Sequence, residues 1–298
     1  MRIIIPFLLI LIFSFNVHCK QNSKAESPEE PQVSLTALKP EFVSFLDGKV
    51  AETSGLIFFD NIFWTINDSG NPNILYRIDP KSGAVISEVF IENSKNIDWE
   101  ELTQDQTYIY IADIGDNSLK RDEKQIYRIK KADVINAKNG GSVNSEVILF
   151  SYPNVDGKAV HYDAEALVSF NGLLHIFTKD FFETHHFTLT PQPGKSTVTF
   201  VEKFKTNGQV TGAAINPENN TLVMVGYLGF GQRLFWEFKG FDKNSFFKAS
   251  KRFFSLGALE EAGQMEAVCF SSEKTIFISN ENFGNLKQQL WNLPYPIK

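Results

Sequence analysis

Short runs of alternating or continuous apolar residues fill the chain from about residue 36 onward, and Gly, Asn, Asp and Pro separate these runs. Almost no segment has the 3.6-residue spacing of an amphipathic helix, so the pattern predicts an all-β protein. One short phrase recurs five times, at 53–56, 99–102, 164–167, 210–213 and 265–268. Its second residue falls at positions 54, 100, 165, 211 and 266, so the intervals are 46, 65, 46 and 55 residues. Such a period is typical of β-propeller blades.

Each of the first four copies is followed by three more predicted strands, which makes the four strands of one blade. These strands are 62–67, 74–78 and 84–91; 108–113, 125–129 and 147–152; 173–178, 185–189 and 197–204; and 221–227, 233–238 and 248–256. The fifth copy has only 266–270, 275–280 and 289–293, and 41–46 can supply its outer strand. The sequence therefore predicts a single five-bladed β-propeller over residues 36–298. A six-bladed propeller is the alternative, if the 65-residue interval contains another blade.

The first 18 residues predict an export signal. Arg2 precedes a mostly apolar run at 3–17, which is shorter than the roughly twenty residues of a membrane span. Cys19 follows, and the stretch resembles a bacterial lipoprotein signal, in which this Cys is acylated. A plainly cleaved signal or an uncleaved anchor are alternatives, because Asn, Val and His stand at 16–18, where small residues are usual. Residues 19–35 predict a flexible tether, so we expect an exported protein whose lipid on Cys19 anchors it to a bacterial membrane, on the periplasmic or cell-surface side.

The composition narrows the functional classes. The chain has 29 Lys and Arg against 35 Asp and Glu, a formal charge of −6, so it lacks the basic footprint of a nucleic-acid binder. Apolar residues make up 43 %, which excludes disorder throughout. If Cys19 is acylated, Cys269 remains alone. We therefore expect no disulfide framework and interpret Cys269 as a small buried apolar residue.

The repeated phrase predicts two rings of side chains around the propeller axis, because the first strand of each blade lines the central channel. The axial ring consists of Ser54, Glu100, Glu165, Thr211 and Glu266. Two residues earlier, on the same side of each strand by the period of two, the second ring consists of Glu52, Asp98, Asp163, Gln209 and Gln264. Two residues later, Leu56, Leu102, Leu167, Ala213 and Val268 predict an apolar plug.

The axial ring predicts a cation site. Three converging glutamates raise one another's pKa unless a cation or protons intervene. A set of carboxylates and hydroxyls suits a hard cation, and Ca²⁺ accepts about six to eight flexible oxygen ligands whereas Mg²⁺ demands a tight octahedron. We therefore expect one axial Ca²⁺. The alternative is a wet channel in which these side chains hydrogen-bond to neighbouring backbone and hold no ion.

The order Ser, Glu, Glu, Thr, Glu in the axial ring resembles the calcium-activated nucleotidase (apyrase) family, five-bladed propellers whose central Ca²⁺ is held by Ser, Glu, Glu, Ser and Glu. Residues 63–70, followed by Ile-Leu-Tyr at 74–76, are similar to that family's strand ending in Asp-Asp-Arg-Thr-Gly. The resemblance implies a calcium-dependent hydrolase of a phosphorylated substrate. However, Ser69 and the pair at 179–180 stand where the family has arginines, and 114–117 replaces its Gly-Lys-Glu-Trp.

Loss of these arginines weakens the expectation of a nucleotide substrate, because guanidinium groups hold phosphate bidentately and lysine does not. The cations that the chain offers instead are Lys179, Arg121 and Arg233. The sequence also resembles, more closely, a group of bacterial secreted propellers of unestablished activity, through 67–70, 98–100, 113–117 and 163–167. Three functions stay open: a structural or ligand-binding calcium site, a calcium-dependent hydrolase, and a protein-interaction platform.

Polar residues that follow the second strands of the blades should share the face on which the channel opens. The predicted ligand rim consists of Asn67, Asp68, Asp113, Asp116, Asn117 and Lys179, and we expect a small molecule or a protein to bind there. Ordinary turn chemistry is the alternative, although two acids flanking Ile114 and Gly115 favour function at Asp113 and Asp116. The adjacent His185 and His186 should point to opposite faces of a strand, which argues against a shared metal.

Overall fold

The computed structural model describes residues 36–229 and 231–295, so the expected signal, Cys19 and the tether lie outside the described ranges. Within these ranges the strands form five separate sheets. The first strands of the five sheets contact one another in a closed ring. The predicted five-bladed β-propeller is therefore confirmed. No helix in the described ranges is long and apolar enough to cross a membrane.

The four strands of each blade pair antiparallel, with the first strand at the axis, and in three blades a further short strand covers the fourth. The chain enters through β1 (Thr36–Ala37), β2 (Glu41–Phe45) and a 3-10 turn at Gly48–Val50. Blade 1 consists of β3 (Thr53–Phe59), β4 (Ile62–Asn67), β5 (Ile74–Ile78) and β6 (Val85–Glu92). Blade 2 runs through β7 (Trp99–Gln104), β8 (Tyr108–Asp113) and β9 (Lys124–Lys130), then through α1 (Lys131–Asn136) and β10 (Gly141–Asn144), and ends in β11 (Glu146–Ser151).

The remaining blades follow the same order. Blade 3 contains β12 (Ala164–Phe170), β13 (Leu173–Thr178), β14 (Thr184–Leu189) and, after the short β15 (Gly194–Thr197), β16 (Thr199–Phe204). Blade 4 consists of β17 (Gln209–Asn216), β18 (Thr221–Leu228), β19 (Gln232–Lys239) and β20 (Ser250–Ala258). After the single turn of α2 (Leu259–Ala262), blade 5 contains β21 (Met265–Ser272), β22 (Thr275–Asn280) and β23 (Gln289–Pro294), and β2 is its fourth strand.

The ring is closed by β2, as the sequence predicts for 41–46. This strand pairs antiparallel with β23, with Phe42 opposite Trp291 and Phe45 opposite Gln289. Without it, the outer edge of β23 would present a row of unpaired backbone groups. The N-terminal part of the propeller therefore completes its C-terminal blade.

The 65-residue interval contains α1 and β10 and no sixth blade, so the six-bladed alternative is wrong. β10 leaves blade 2 and pairs in parallel with β6, the outer strand of blade 1. In the same way β15 covers β11 of blade 2, and β1 covers β20 of blade 4. The sequence pattern does not predict these three edge strands, because they are two to four residues long and mostly exposed.

The hydrophobic core consists of five clusters, one between each pair of neighbouring blades. Side chains alternate between the two faces of a strand, so each blade packs against both of its neighbours. The five residues predicted as an apolar plug all belong to these clusters. Leu56 lies between blades 5 and 1, Leu102 between blades 1 and 2, and Leu167 between blades 2 and 3. Ala213 and Val268 continue the series.

Candidate axial cation site

Every innermost strand carries a β-bulge at the repeated phrase. In blades 2 to 5 the pairing with the second strand skips Glu100, Glu165, Thr211 and Glu266, and in blade 1 it skips Gly55, directly after Ser54. A bulge leaves one residue unpaired, bends the strand and re-aims a side chain. The bulge lies at the ring residue in four blades and one residue later in blade 1, so in every blade it turns this part of the innermost strand toward the axis.

The axial ring opens into a cavity of about 80 Å³, which we call the axial cavity. Its walls are formed by Ser54, Asp68, Glu100, Asn117, Glu165, Lys179, Tyr227, Gln264, Glu266 and Glu281. The structure thus brings together four members of the axial ring, three of the predicted rim and one of the second ring. Thr211, the fifth member of the axial ring, does not line this cavity, and its hydroxyl donates a hydrogen bond to the backbone carbonyl of Met265.

Four of the cavity residues occupy equivalent positions just beyond, or at the end of, the second strands. The backbone N–H groups of Asp68, Lys179 and Glu281 donate to the carbonyls of Glu52, Asp163 and Gln264, and Tyr227 lies opposite Gln209. The sequence analysis did not single out Tyr227. Its signal is positional, because it lies near the end of the second strand of blade 4, in the same register as Asp68, Lys179 and Glu281.

In blade 2 a glycine takes this position. The N–H of Gly115 bonds to the carbonyl of Asp98. A Cβ atom built on Gly115 would lie 2.1 Å from Glu100 Oε1 and 2.5 Å from Asp98 Oδ2, closer than any real contact. Gly115 therefore leaves the space that these two carboxyl groups need.

Asp68, Asp98 and Glu100 form a carboxyl triad on this side of the axis. One oxygen of each lies within 4.8 Å of the other two. Burial, followed by repulsion from Asp68 and Asp163, raises the pKa of Asp98 to about 6. Burial and the nearby Glu165 raise the pKa of Glu100 well above its ordinary value. Carboxyl groups this close favour the uptake of a cation or of protons.

Lys179 brings the one positive charge among the cavity-lining residues. Its ammonium pairs with Glu165 Oε1 and lies 5.9 Å from the ring centre of Tyr227. Burial alone would lower the pKa of Lys179, but attraction to Glu165 and Glu266 outweighs burial and raises it. Lys179 is therefore a permanent counter-ion inside the axial ring.

Five carboxyl groups line the cavity against this one ammonium. Burial raises the pKa of Glu165 to about 8 and that of Glu281 to about 7, and it raises the pKa of Glu266 well above the usual range. The second carboxyl oxygen of Glu165, Oε2, is buried without a hydrogen-bond partner. These carboxyl groups therefore keep protons near neutral pH unless a cation takes the place of the protons.

Asp113 and Asp116 of the predicted rim are held by cations of their own blade. The fully buried Asp113 accepts from Arg121 at 2.8 Å and from Gln125 at 2.8 Å. Asp116 accepts from Nζ of the buried Lys124 at 2.6 Å. These contacts support the alternative of loop structure for both acids. Asn67 is also buried, and its amide donates to the carbonyl of Lys49.

The second ring is divided between several environments. Asp98 belongs to the carboxyl triad and Gln264 lines the axial cavity. Asp163 accepts from the N–H of Asp116 at 2.7 Å. Glu52 is exposed and accepts from the Asn71 amide, and Gln209 is half-buried in β17. The ring as predicted is therefore a set of neighbours around the mouth of the cavity, which differ in their partners.

Glu101 reaches across the axis, a role that the sequence analysis did not identify. Its Oε2 accepts from the N–H of Ala213 at 3.0 Å, and its Oε1 from the N–H of Leu102 at 2.9 Å. Because blades 2 and 4 are not neighbours, this side chain must cross the channel. Burial raises the pKa of Glu101 well above its usual value, and the N–H groups oppose this shift. A carboxyl group that the sequence analysis did not place on the axis therefore crosses the channel.

The sequence does contain a signal for Glu101. The equivalent residues of the other four blades are Gly55, Ala166, Gly212 and Ala267. Four small side chains leave room on the axis for a single large one. On the far side of Glu101 the channel widens into a funnel of about 720 Å³ between the inner hairpins. Four residues of the predicted apolar plug, Leu56, Leu102, Ala213 and Val268, line this funnel, whereas no residue of the two rings or the rim does.

Fold and site together define a five-bladed β-propeller with an acidic axial cavity. The PQQ-bound aldose sugar dehydrogenase from Streptomyces coelicolor is similar, with a TM-score of 0.51, 11 % identity, and coverage of 88 % of this chain and 98 % of that one. The Malassezia sympodialis allergen Mala s 1 gives a TM-score of 0.52 and 9 % identity over 86 % and 96 % of the two chains. Identities this low show the fold alone.

No family model matches the sequence, and no curated protein matches it either. The resemblance to the calcium-activated nucleotidases therefore stays a prediction from the axial ring. What is established is the propeller fold and the convergence of acidic side chains on its axis.

Proposed function

We propose that the axial cavity binds one hard divalent cation, Ca²⁺, in a propeller that is exported and anchored to a bacterial membrane through Cys19. The observation that carries the cation site is Glu165 Oε2, a buried carboxyl oxygen without a partner. It faces a cavity with four further carboxyl groups and one ammonium. Support for export and for the anchor comes from the sequence of the first 35 residues.

The donor set fits Ca²⁺ better than Mg²⁺, because it consists of flexible carboxyl and hydroxyl oxygens without imposed octahedral order. Asp68, Asp98 and Glu100 would hold the ion, with Glu165 and Ser54 as further oxygen donors. The Ser54 hydroxyl donates a hydrogen bond to the carbonyl of Glu100, which leaves the lone pairs of the hydroxyl oxygen available for a cation. This ligand set adds Asp68 and Asp98 to the axial ring and omits Thr211 and Glu266.

A structural or ligand-binding role agrees better with the cavity than hydrolysis of a phosphorylated substrate. A phosphate site needs free cationic groups. Lys179, Arg121 and Arg233, the three cations that the sequence offers, pair with Glu165, Asp113 and Glu261. These pairs support ion binding over the hydrolase.

Scanning calorimetry with EDTA and then with Ca²⁺ tests the proposal. A ligand at 100 times its Kd stabilises the folded state by about 2.7 kcal/mol, so we expect Ca²⁺ to raise the Tm by several degrees. The Glu100→Gln/Glu165→Gln variant should lose this shift. Glu92→Gln, on the outer strand of blade 1, is the matched control and should keep it. No shift in the wild type, or an equal shift in the double variant, would refute the site, and release of phosphate from nucleotides would favour the hydrolase.

Lys179 should compete with the ion for the axial carboxyl groups. Two charges a few ångströms apart interact by several kcal/mol at an effective dielectric of about 20. We therefore expect Lys179→Met to bind Ca²⁺ at least about tenfold more tightly in titration calorimetry. Lys120→Met removes an exposed lysine of the same face and should bind like the wild type. A weaker affinity in Lys179→Met would show that this lysine organises the site instead of competing with it.

A further inference from the structure

Exposed apolar side chains concentrate on the face where the axial cavity opens, which we call the axial face. It is formed by the loops that follow second strands and by the connections between blades. Twelve large apolar side chains are exposed in the described ranges, and half of them lie here. They are Ile97, Leu119, Val155, Phe181, Phe182 and Leu228. They come from four of the five blades or their connections, so several blades contribute to this face.

The two most exposed of these residues follow Lys179 closely in the sequence. Phe181 and Phe182 are 58 % and 73 % exposed, the two highest values among these twelve residues. They lie in the turn between β13 and β14, two and three residues after Lys179. Five of the other exposed apolar residues lie on the outer strands β2, β6 and β16, and one lies in α1. Adjacent phenylalanines at a loop tip cost free energy in water, which is typical of a surface that binds a partner.

The acidic groups of the cavity favour a partner with a positively charged group at the centre of its binding surface. Asp68, Glu100, Glu165, Glu266 and Glu281 face one ammonium, and the 4 % exposed Glu165 keeps one oxygen unpartnered. A cationic group that reaches the mouth gains attraction, and an apolar surround that excludes water strengthens it.

We propose that the axial face binds a protein segment that presents a lysine or arginine among apolar residues. The cation points at the axial cavity, and the apolar neighbours pack on Phe181 and Phe182. A membrane surface fits less well, because the acidic mouth repels anionic head groups. Binding does not require Ca²⁺, because a cationic side chain can itself replace the protons that close carboxyl groups otherwise take up. With Asp98 the cavity region has six carboxyl groups against the single ammonium of Lys179.

Surface plasmon resonance with the full chain over immobilised peptides tests this surface. The probe is acetyl-Leu-Phe-Lys-Phe-Leu on a Gly-Ser linker, and the comparison peptides carry glutamate or norleucine in place of lysine. We expect the lysine peptide to bind at least about tenfold more tightly than the glutamate peptide, with the norleucine peptide between them. Phe181→Ser/Phe182→Ser should weaken binding at least about fivefold. Phe42→Ser/Phe45→Ser, which removes two exposed phenylalanines from β2, is the matched control and should bind normally.

Equal binding of the three peptides, or the same loss in both phenylalanine pairs, would overturn the proposal. Flotation of the protein with phosphatidylglycerol or phosphatidylcholine vesicles that depends on Phe181 and Phe182 would assign the surface to a membrane and would overturn it as well. The peptides are measured both in EDTA and in Ca²⁺. Failure of the cation site therefore leaves the expected peptide binding unchanged and is distinguishable from failure of this surface.

Discussion

At the scale of single residues, one large side chain crosses the propeller axis where the equivalent residues of the other four blades are small. Four of the residues that directly follow the axial ring are Gly or Ala, and the fifth is Glu101. The carboxyl group of Glu101 accepts backbone N–H groups from its own blade and from blade 4. It thereby satisfies donors on inner strand edges that have no neighbouring strand on the channel side.

Replacing Glu101 by glutamine tests this account. The amide NH₂ of glutamine cannot accept a hydrogen bond, so one backbone N–H loses its partner, at a cost of about 1–3 kcal/mol. We expect the urea midpoint of Glu101→Gln to fall correspondingly. Glu92→Gln serves again as the exposed control. A midpoint equal to that of the wild type would mean that the hydrogen bonds between these N–H groups and the carboxyl group do not stabilise the folded protein.

At the scale of elements, a buried polar chain connects three strands of blade 3 to blade 4. His175 on β13 donates from Nε2 to the carbonyl of Phe170 at 3.1 Å, and its Nδ1 lies 2.9 Å from Nε2 of His186 on β14. Nδ1 of His186 lies 3.5 Å from Glu202 on β16. Glu202 in turn accepts from the N–H groups of the 246–247 segment. As predicted, His186 is buried while the adjacent His185 is half-buried on the other face.

This chain makes blade 3 sensitive to acid. Burial, with a contribution from His186, lowers the pKa of His175 to about 3, against about 6.5 in an unfolded chain. Its contribution to stability is thus complete above pH 6.5 and is lost as the pH falls toward 3, because the unfolded state takes up the proton first. Each pH unit in this window costs about 1.4 kcal/mol.

Urea unfolding of His175→Leu at several pH values checks this expectation. The variant should be less stable than the wild type at pH 7.5. Its deficit should shrink by about 2 kcal/mol between pH 6.5 and 5, because the titrating group is gone. The half-exposed His161 provides a control variant, His161→Leu, whose profile should follow the wild type. Parallel profiles for His175→Leu and the wild type would contradict the prediction.

At the scale of the whole molecule, one strand close to the start of the propeller closes the ring. β2 supplies the fourth strand of blade 5, and the chain next to it is fixed by Leu46, whose N–H bonds to the carbonyl of Gln288. Ring closure thus joins residues more than two hundred positions apart. This pairing connects blade 5 to the segment that leads into blade 1, whereas the other neighbouring blades are joined directly by the chain.

Two truncated chains separate this closing role from that of the edge strand β1. Removal of residues 1–39 takes away β1 and should leave the melting temperature nearly unchanged, because β1 pairs over only two residues. Removal of 1–46 also takes away β2 and should lower it sharply or abolish cooperative melting, since blade 5 then exposes β23. A synthetic peptide covering 40–47 should restore part of the loss. Equal calorimetric transitions for the two truncations would contradict this prediction.

The sequence by itself predicted five blades, the extent of most strands, the closing strand and the positions of the axial ring, and the structure was needed to exclude a sixth blade. These properties depend on short segments of sequence: the alternation of apolar residues, the turn residues, and a phrase that is repeated once per blade. Only the tertiary structure decided which of these residues meet. Lys179 inside the ring, Thr211 bonded to Met265, Glu101 across the axis and the His175–His186 pair depend on the bulges and on the register between strands. A shift of one residue in the pairing between two strands turns a side chain to the other face, and no local sequence pattern specifies such a shift.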